Sequence, residues 1–202
     1  MTHPPDRLTE PFAPATTRQW QDGWWLEARR VPSPNFGARP VGAFVDLIVL
    51  HSISLPPGRY GGDEVLQLFC NALDCGAHPY LERLRGVQVS SHFFLRRGGA
   101  LIQCVSCDDR AWHAGASRYR GRDNCNDDSI GIELEGLEGD LFEPAQYEVL
   151  ARLCKAVATQ YPIGHVAGHE HVAPARKFDP GPGFDWERLG RALAWDGTCF
   201  PG

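Results

Sequence analysis

The sequence lacks a long apolar run and lacks an excess of positive charge. No stretch approaches the roughly 18–20 apolar residues that a membrane-spanning helix needs. The first 20 residues also lack the apolar core of a signal peptide. Lys and Arg number 20 against 25 Asp and Glu, a net charge of −5. Because surfaces that bind nucleic acid are usually basic, we expect no nucleic acid among the partners. Because no membrane-spanning run is present, we expect no membrane among them either.

The cysteines lack the even number and regular spacing of a disulfide framework. The chain has 7 of them, at positions 70, 75, 104, 107, 125, 154 and 199. An odd, irregular set suits a reducing compartment better than a secreted scaffold. We therefore expect a cytoplasmic protein.

Internal repeats and a second hydrophobic unit are also missing, so the sequence predicts one folded domain. Residues 1–22 carry four prolines and few aliphatic side chains, which is typical of a flexible extension. Residues 23–202 form the predicted domain. The chain has 202 residues, of which 43% are hydrophobic, enough for a core without disulfides. The sequence does not predict the oligomeric state.

Strand and helix patterns alternate along the chain. Strands are predicted from short apolar runs and from two-residue alternation, and a hairpin is predicted from Gly98-Gly99. Helices are predicted where apolar residues recur at helical spacing. The predicted strands cover residues 44–50, 89–96, 100–105, 129–135 and 163–169, and the predicted helices cover 63–73, 144–161 and a segment beginning after 185. Together they predict an α/β (α+β) single domain with a mixed central β-sheet flanked by α-helices.

Polar residues at the ends of predicted strands are candidates for chemistry. His51 follows one apolar strand, His169 ends another, and Asp179 comes ten positions later. Two histidines and a carboxylate make a normal catalytic zinc site, with a fourth position open for water. A histidine after a strand is nevertheless more often structural, and His171 is a second histidine in the same loop. Residue types alone therefore leave two interpretations open, a zinc site and a set of structural histidines.

Three charged side chains, of Glu133, Glu135 and Lys177, can be interpreted either as ordinary solvent-exposed residues or as catalytic ones. Glu133 and Glu135 share one face of a strand, where glutamate is uncommon. In a pocket, desolvation would raise the pKa of Glu133 towards that of a general base, whereas on an open sheet face it would do nothing. Lys177 is either a solvated lysine or a partner for negative charge that develops near a metal.

The CxxC spacing of Cys104 and Cys107 permits redox or metal chemistry. In a strand, however, this spacing sends the two side chains to opposite faces, and no second pair is present. We interpret the two cysteines as structural, with a thiol oxidoreductase as the alternative.

Five stretches in order resemble one family. They are ARRVPSPNFGARP, LIVLHSISLPPGRYGG, VSSHFFLRRGG, RAWHAGASRYRGRDNCNDDSIGIELEG and AGHEHVAPARKFDPGPGFDW. The chain resembles the AmpD-type N-acetylmuramoyl-L-alanine amidases, the cytoplasmic zinc amidases of cell-wall recycling. This resemblance implies a fold like that of the peptidoglycan recognition proteins.

The resemblance also implies an activity and a set of site residues. The activity is hydrolysis of the amide between the lactyl group of N-acetylmuramic acid and L-alanine, preferably on 1,6-anhydro-muropeptides. The implied ligands of Zn²⁺ are His51, His169 and Asp179, with Glu133 as catalytic acid and base and Lys177 as partner of the oxyanion. His171 then becomes a supporting residue rather than a ligand.

The segment AWHAGASRYRGRDNCNDD resembles the substrate wall of these enzymes. Trp112 and His113 are expected to pack on substrate, Arg122 to bind a carboxylate, and Asn126 either to bind substrate or to stabilise its loop. Phe178 departs from the family pattern, which often has threonine there, and Asn124 stands where an arginine can occur. Both departures concern the anhydro-sugar preference rather than the metal site.

Two other functions remain as alternatives. Relatives with this fold bind peptidoglycan without cutting it, but a pure binding protein would not need the full set of ligands and Glu133. The other alternative is an amidase that acts on intact peptidoglycan outside the cytoplasm.

Overall fold

The computed structural model describes residues 19–201. Trp20–Gln21 (β1) pairs with Trp24–Trp25 (β2), and Trp20 is buried with its ring stacked on that of Trp25. The described fold therefore includes residues that precede the predicted domain start at 23. The rest of the predicted N-terminal extension, residues 1–18, lies outside the described residues.

The centre of the molecule is a mixed six-stranded sheet, as the sequence predicts. Its strands, in spatial order, are His165–Gly168 (β12), Leu47–Ile53 (β5), Ser129–Glu135 (β11), Phe93–Leu95 (β6), Leu101–Gln103 (β7) and Arg29–Arg30 (β3). The first four run parallel, β6 and β7 form the predicted antiparallel hairpin, and β3 adds in parallel at the edge. The parallel strands bring their carboxyl ends to one edge.

One face of the sheet is covered by the two longest helices. Pro144–Ala158 (α2) and Trp186–Leu193 (α4) pack together over the apolar residues of β5, β6, β11 and β12. Ile48, Leu50, Ile130, Ile132 and Leu134 all lie in this cluster and are fully buried. The two-residue period of the strands sends the intervening positions to the other face.

The other face holds two smaller apolar clusters. One packs Glu64–Phe69 (α1) against Phe94 and Ile102. The second groups Leu47 and Val49 with Ala114, Cys125, Ala167 and Val172. The short helix His169–Val172 (α3) follows β12 directly. The site described below belongs to this face.

Several predicted elements are longer than those observed. The predicted helix over 63–73 ends at Phe69, because Asn71 adopts φ 58° and its amide binds Asn35. The hairpin strands are also shorter, since Cys104 and Val105 both donate to the carbonyl of His92 and interrupt regular pairing.

Short elements complete the fold. Besides β1 with β2, two further pairs of two-residue strands form. Phe36–Gly37 (β4) pairs with Arg110–Ala111 (β8), and Arg118–Tyr119 (β9) pairs with Arg122–Asp123 (β10). Single 3₁₀ turns cover Cys75–Ala77, Leu81–Leu84 and Gly197–Cys199. Within residues 19–201, every helix is too short or too polar to cross a membrane.

Candidate active site

Strand β5 positions the first site residue. Leu47, Val49 and His51 alternate onto the same face of the sheet, and β5 is enclosed on both edges by β11 and β12. His51 is 1% exposed and lies two residues before the strand ends at Ile53, not after the strand as predicted. The strand continues because residues up to Ile53 pair with β11.

His169 and Asp179 come from the segment after β12. His169 is the first residue of α3 rather than the last of a strand, and it is buried. The chain then returns so that the backbone N–H of Glu170 donates to the carbonyl of Asp179 at 2.9 Å. This bond ties the two parts of the loop together and brings the Asp179 carboxylate to His169.

The side chains of His51, His169 and Asp179 converge on one point. Nδ1 of His51 lies 2.9 Å from Nδ1 of His169 and 3.1 Å from Oδ2 of Asp179, and the remaining distance, from Nδ1 of His169 to that oxygen, is 3.2 Å. Among the residues that the structure describes, these form the one group of three or more such donors compact enough for a metal ion. The predicted ligands are thus brought together.

Electrostatics favour a neutral His51 and an ionised Asp179. Burial lowers the pKa of His51 to about 4. Burial alone would raise the pKa of Asp179, but its interactions with His169 and His51 outweigh burial and hold that pKa well below its usual value. A neutral imidazole and an ionised carboxylate are the forms in which these two groups bind a metal ion.

His171 lies apart from this cluster. Its Nδ1 accepts the backbone N–H of Gly168 at 3.0 Å, and its ring packs edge-on against Trp186. The ring therefore fixes the start of α3 and contacts the last helix.

Glu133 lies in the middle of β11, opposite His51 in the parallel register. It is 8% exposed, so the sheet face on which it stands is covered rather than open to water. Its Oε2 is buried and has no hydrogen-bond partner among the described residues. Burial raises the pKa of Glu133 well above its usual value, Asp179 raises it further, and Lys177 opposes both.

Glu135 shares the face of Glu133 but has a different role. Its carboxylate accepts the backbone N–H groups of Gly61 at 2.6 Å and Arg97 at 3.0 Å. It therefore anchors the loop around residue 61. This contact, together with the hydrogen bond from the Tyr60 hydroxyl to Asp140, ties down a segment that could otherwise move.

A cleft of about 470 Å³ opens above these residues. Its polar part contains the three clustered side chains with Glu133 and Lys177, and its apolar part is formed by Leu68, Phe69, Tyr80, Leu84 and Val89. Phe178 also borders the cleft and is 56% exposed. An exposed phenyl ring beside a polar centre can contact a bound molecule.

Two of the four predicted substrate residues reach the cleft. Trp112 and His113 both border it. The ring of His113 also contacts the cluster from behind, since its Nδ1 lies 3.0 Å from Nε2 of His51. His113 is therefore in direct contact with the cluster of His51, His169 and Asp179, which its prediction as a substrate contact did not include.

The other two are engaged elsewhere. Arg122 does not border the cleft, because its guanidinium pairs with Asp46 at 2.6 Å and Asp128 at 3.0 Å. Asn126 also lies outside the lining, and its side-chain oxygen accepts the backbone N–H groups of His113 and Ala114. The carboxylates that Arg122 binds belong to the chain itself, and Asn126 has the loop-stabilising contacts that the sequence left as an alternative.

Cys104 and Cys107 are buried in two different hydrophobic clusters. Both are free thiols, and burial raises the pKa of Cys104 to about 12. A reactive thiolate is therefore not favoured at either position.

Two features of the site had no prediction from the sequence. Gly131 lies under the His113 ring, and a Cβ there would come within 2.5 Å of the ring Cγ. The carbonyl of Ala114 lies 3.1 Å from Nε2 of His169. A glycine inside a strand can signal such close approach, whereas a backbone carbonyl leaves no sequence signal.

Residues 41–182 match the family described as N-acetylmuramoyl-L-alanine amidase. The chain belongs to this family. It is accordingly an amidase, with a mixed sheet and flanking helices like those of its relatives.

Similar proteins agree with this assignment. The 1,6-anhydro-N-acetylmuramyl-L-alanine amidase AmpD of Citrobacter freundii is 49% identical over 174 residues, which are 85% of this chain and 92% of that protein. A crystal structure of a selenomethionine derivative of AmpD superposes with a TM-score of 0.84 at 48% identity, covering 86% of this chain and 98% of the other.

A more distant amidase has been solved with a substrate. The complex of Escherichia coli AmiD with anhydro-N-acetylmuramic acid-L-Ala-D-γ-Glu-L-Lys has a TM-score of 0.54 at 29% identity, covering 76% of this chain and 60% of that one. The similarity thus includes a relative bound to an anhydro-muropeptide.

Proposed function

We propose that this amidase is zinc-dependent and hydrolyses the amide between the lactyl group of 1,6-anhydro-N-acetylmuramic acid and the L-alanine of the stem peptide. The observation that carries the proposal is the convergence of His51, His169 and Asp179 at the base of a cleft that also contains Glu133. The first three are proposed as metal ligands, and Glu133 and Lys177 as catalytic residues.

The three donor atoms fit a zinc ion. Bonds of about 2.0–2.1 Å in tetrahedral geometry put neighbouring ligand atoms about 3.3 Å apart, close to the observed 2.9, 3.1 and 3.2 Å. Two imidazole nitrogens and a carboxylate oxygen are donors that zinc prefers. Three protein ligands would leave one coordination position for water or substrate. A zinc ion held by these residues would lower the pKa of a bound water to about 7 and would polarise the amide carbonyl.

Glu133 is proposed to move the proton. A carboxylate with a raised pKa and no competing hydrogen bond on Oε2 can accept a proton from the attacking water and pass it to the leaving amine of L-alanine. Its place in a strand paired on both sides fixes the backbone that carries the carboxyl group.

Lys177 is proposed to stabilise the oxyanion that forms as the amide carbon becomes tetrahedral. Its side chain borders the same cleft two positions before Asp179, where an ammonium group can meet developing negative charge. Charge stabilisation of this kind acts most strongly in a site from which substrate excludes water.

The proposed substrate and compartment have separate support. The AmpD relatives of Citrobacter freundii and Escherichia coli carry the anhydro-muropeptide activity in their names, at 49% and 47% identity. All seven cysteines are free, which suits a reducing compartment. We therefore propose a cytoplasmic enzyme of muropeptide recycling.

The test offers the purified protein two substrates, an anhydro-muropeptide and intact sacculus, each with and without a chelator. Release of the stem peptide from the anhydro-muropeptide alone, and only without chelator, is the expected result. Release from sacculus alone would overturn the substrate assignment. Chelator-resistant hydrolysis, with no metal found in the protein, would overturn the zinc assignment.

A further inference from the structure

The ring of His113 lies behind His51, on the side away from the point where the three donors converge. Its Nδ1 is 3.0 Å from Nε2 of His51, and the two rings meet at 84°. We propose that His113 is a positioning residue for the metal site, which fixes the orientation and the proton of the His51 ring, rather than a substrate-binding residue. This inference rests on the zinc site proposed above.

The hydrogen bonds around His113 have one consistent direction. For Nδ1 of His51 to bind a metal, the proton of that ring must be on Nε2, which then donates to Nδ1 of His113. His113 must in turn carry its proton on Nε2, which lies 3.3 Å from the Ser129 hydroxyl. That hydroxyl donates to the carbonyl of Cys125, so its oxygen can accept. In this series of hydrogen bonds, from His51 through His113 and Ser129 to Cys125, every donor therefore faces an acceptor.

The surroundings of His113 hold the ring in this place. Gly131 lies beneath it, and any Cβ there would come within 2.5 Å of the ring. The backbone N–H groups of His113 and Ala114 both donate to the side-chain oxygen of Asn126, at 3.1 and 2.8 Å. The ring is thus fixed from the strand below and from its own backbone, which a residue that only touches substrate would not require.

The next residue orients the other histidine. The carbonyl of Ala114 lies 3.1 Å from Nε2 of His169, so it accepts that proton and leaves Nδ1 of His169 facing Asp179. Two consecutive residues therefore orient the two rings. His113 orients His51 through its side chain, and Ala114 orients His169 through its backbone carbonyl. Partners of this kind typically change metal affinity by about 10–100-fold.

The test compares two variants of the full chain. His113→Leu keeps the bulk of the ring but removes the acceptor, whereas His113→Asn keeps an acceptor near the place of Nδ1. Zinc affinity is measured by competition with a chromophoric chelator, and the visible spectrum of the cobalt-substituted protein reports the coordination geometry. We expect His113→Leu to bind zinc about 10–100-fold more weakly, with an altered cobalt spectrum, and His113→Asn to stay close to wild type.

Three outcomes would overturn the inference. His113→Leu that binds zinc like wild type, but with a raised KM for the muropeptide, would make His113 a substrate contact. Equal losses in both variants, with folding intact by circular dichroism, would mean that the acceptor is not what matters. Wild-type protein that binds no zinc would contradict the metal centre itself, and with it this role.

A measurement on the wild-type protein covers the case in which His113→Leu fails to fold. Nitrogen-15 NMR of the imidazoles in the zinc-loaded protein distinguishes the tautomers. We expect the proton of His51 on Nε2 and that of His113 also on Nε2. A proton on Nδ1 of His113 would overturn the proposal, since that atom could not then accept from His51.

Discussion

Glu133 lies directly across from His51 in the parallel pairing of β11 and β5. Both residues are buried, and both side chains emerge on the face that carries the cleft. The separation between the proposed base and the first proposed ligand is therefore set by backbone hydrogen bonds between two central strands. The backbone at both positions is therefore fixed by the sheet itself.

Replacing Glu133 by glutamine should abolish turnover and spare the metal. Loss of a general base typically lowers kcat by about 10²–10⁴-fold, while His51, His169 and Asp179 are untouched. Peptide release from the muropeptide and zinc content of the purified protein measure the two effects. Turnover that survives would make Glu133 a structural residue.

Glu135→Gln is the matched control for that variant. It lies on the same strand and face, but its carboxylate binds the backbone of Gly61 and Arg97. It should lower the stability of the fold and leave turnover much closer to wild type.

Glu133→Gln should also stabilise the metal-free protein at neutral pH. Because burial raises the pKa of Glu133 above 4.5, the folded protein holds a proton there that the unfolded chain releases. The stability that this protonated carboxyl adds to the folded state is fully present below pH 4.5. It is lost as the pH rises through the pKa that Glu133 has in the folded protein. Each pH unit in that window costs the wild type about 1.4 kcal/mol, or roughly 3–6 °C in Tm.

Thermal melts in chelator at pH 4 and pH 7 measure this effect. The two proteins should melt together at pH 4, and the variant should melt higher at pH 7. Added zinc should reduce the difference in Tm between the two proteins at pH 7, because a nearby cation favours the ionised carboxylate. A variant that melts lower than wild type at pH 7 would mean that Glu133 is stabilising in its charged form.

His51→Ala should lose zinc, and His171→Ala should keep it. Removing one of three donors leaves too few to hold the ion, and we expect affinity to fall by more than about 100-fold, beyond the effect of residues that only support ligands. His171 instead binds Gly168 and packs on Trp186. Zinc content after dialysis measures both variants. Loss of zinc from His171→Ala alone would reverse the two assignments.

Chelation should abolish activity, and Cys104→Ser should not. The thiol of Cys104 is buried with its pKa raised to about 12, so it supplies no thiolate at neutral pH. Activity should stay within about 2-fold of wild type, with a stability loss of about 1–3 kcal/mol for burying a hydroxyl. Activity assays with and without chelator, and urea unfolding, measure these effects. The opposite pattern would favour the thiol oxidoreductase.

Phe178→Thr should change substrate binding more than catalysis. The phenyl ring is 56% exposed at the edge of the cleft, between Lys177 and Asp179 in the chain. Losing about 1 kcal/mol of apolar contact would raise KM roughly 5-fold at nearly unchanged kcat. Leu141→Thr is the control, since Leu141 is 78% exposed and lies outside the cleft lining. Equal kinetics for the two variants would exclude a contact with Phe178.

The sequence predicted the parts of the fold whose signal is local. Strand β11 was predicted at 129–135 and is observed at Ser129–Glu135, because strict alternation specifies both a strand and its faces. The start of α2 was likewise predicted from Pro144. The two-residue strands carry no periodicity and could not be predicted.

The structure brings together three side chains that the sequence singled out, His51, His169 and Asp179. Their role as metal ligands stays a prediction. Arg122, however, found its carboxylates in Asp46 and Asp128. Which charges a long side chain meets depends on tertiary contacts that the sequence does not reveal.

Gly131 sets a limit on how this protein can be engineered. Replacing a strand glycine by alanine is a common route to higher thermal stability, because the unfolded chain loses freedom. Here a single added methyl group would meet the His113 ring at 2.5 Å. A stabilisation campaign guided by secondary structure alone would select this position and displace a ring that lies against His51, so thermostability and amidase activity have to be screened together.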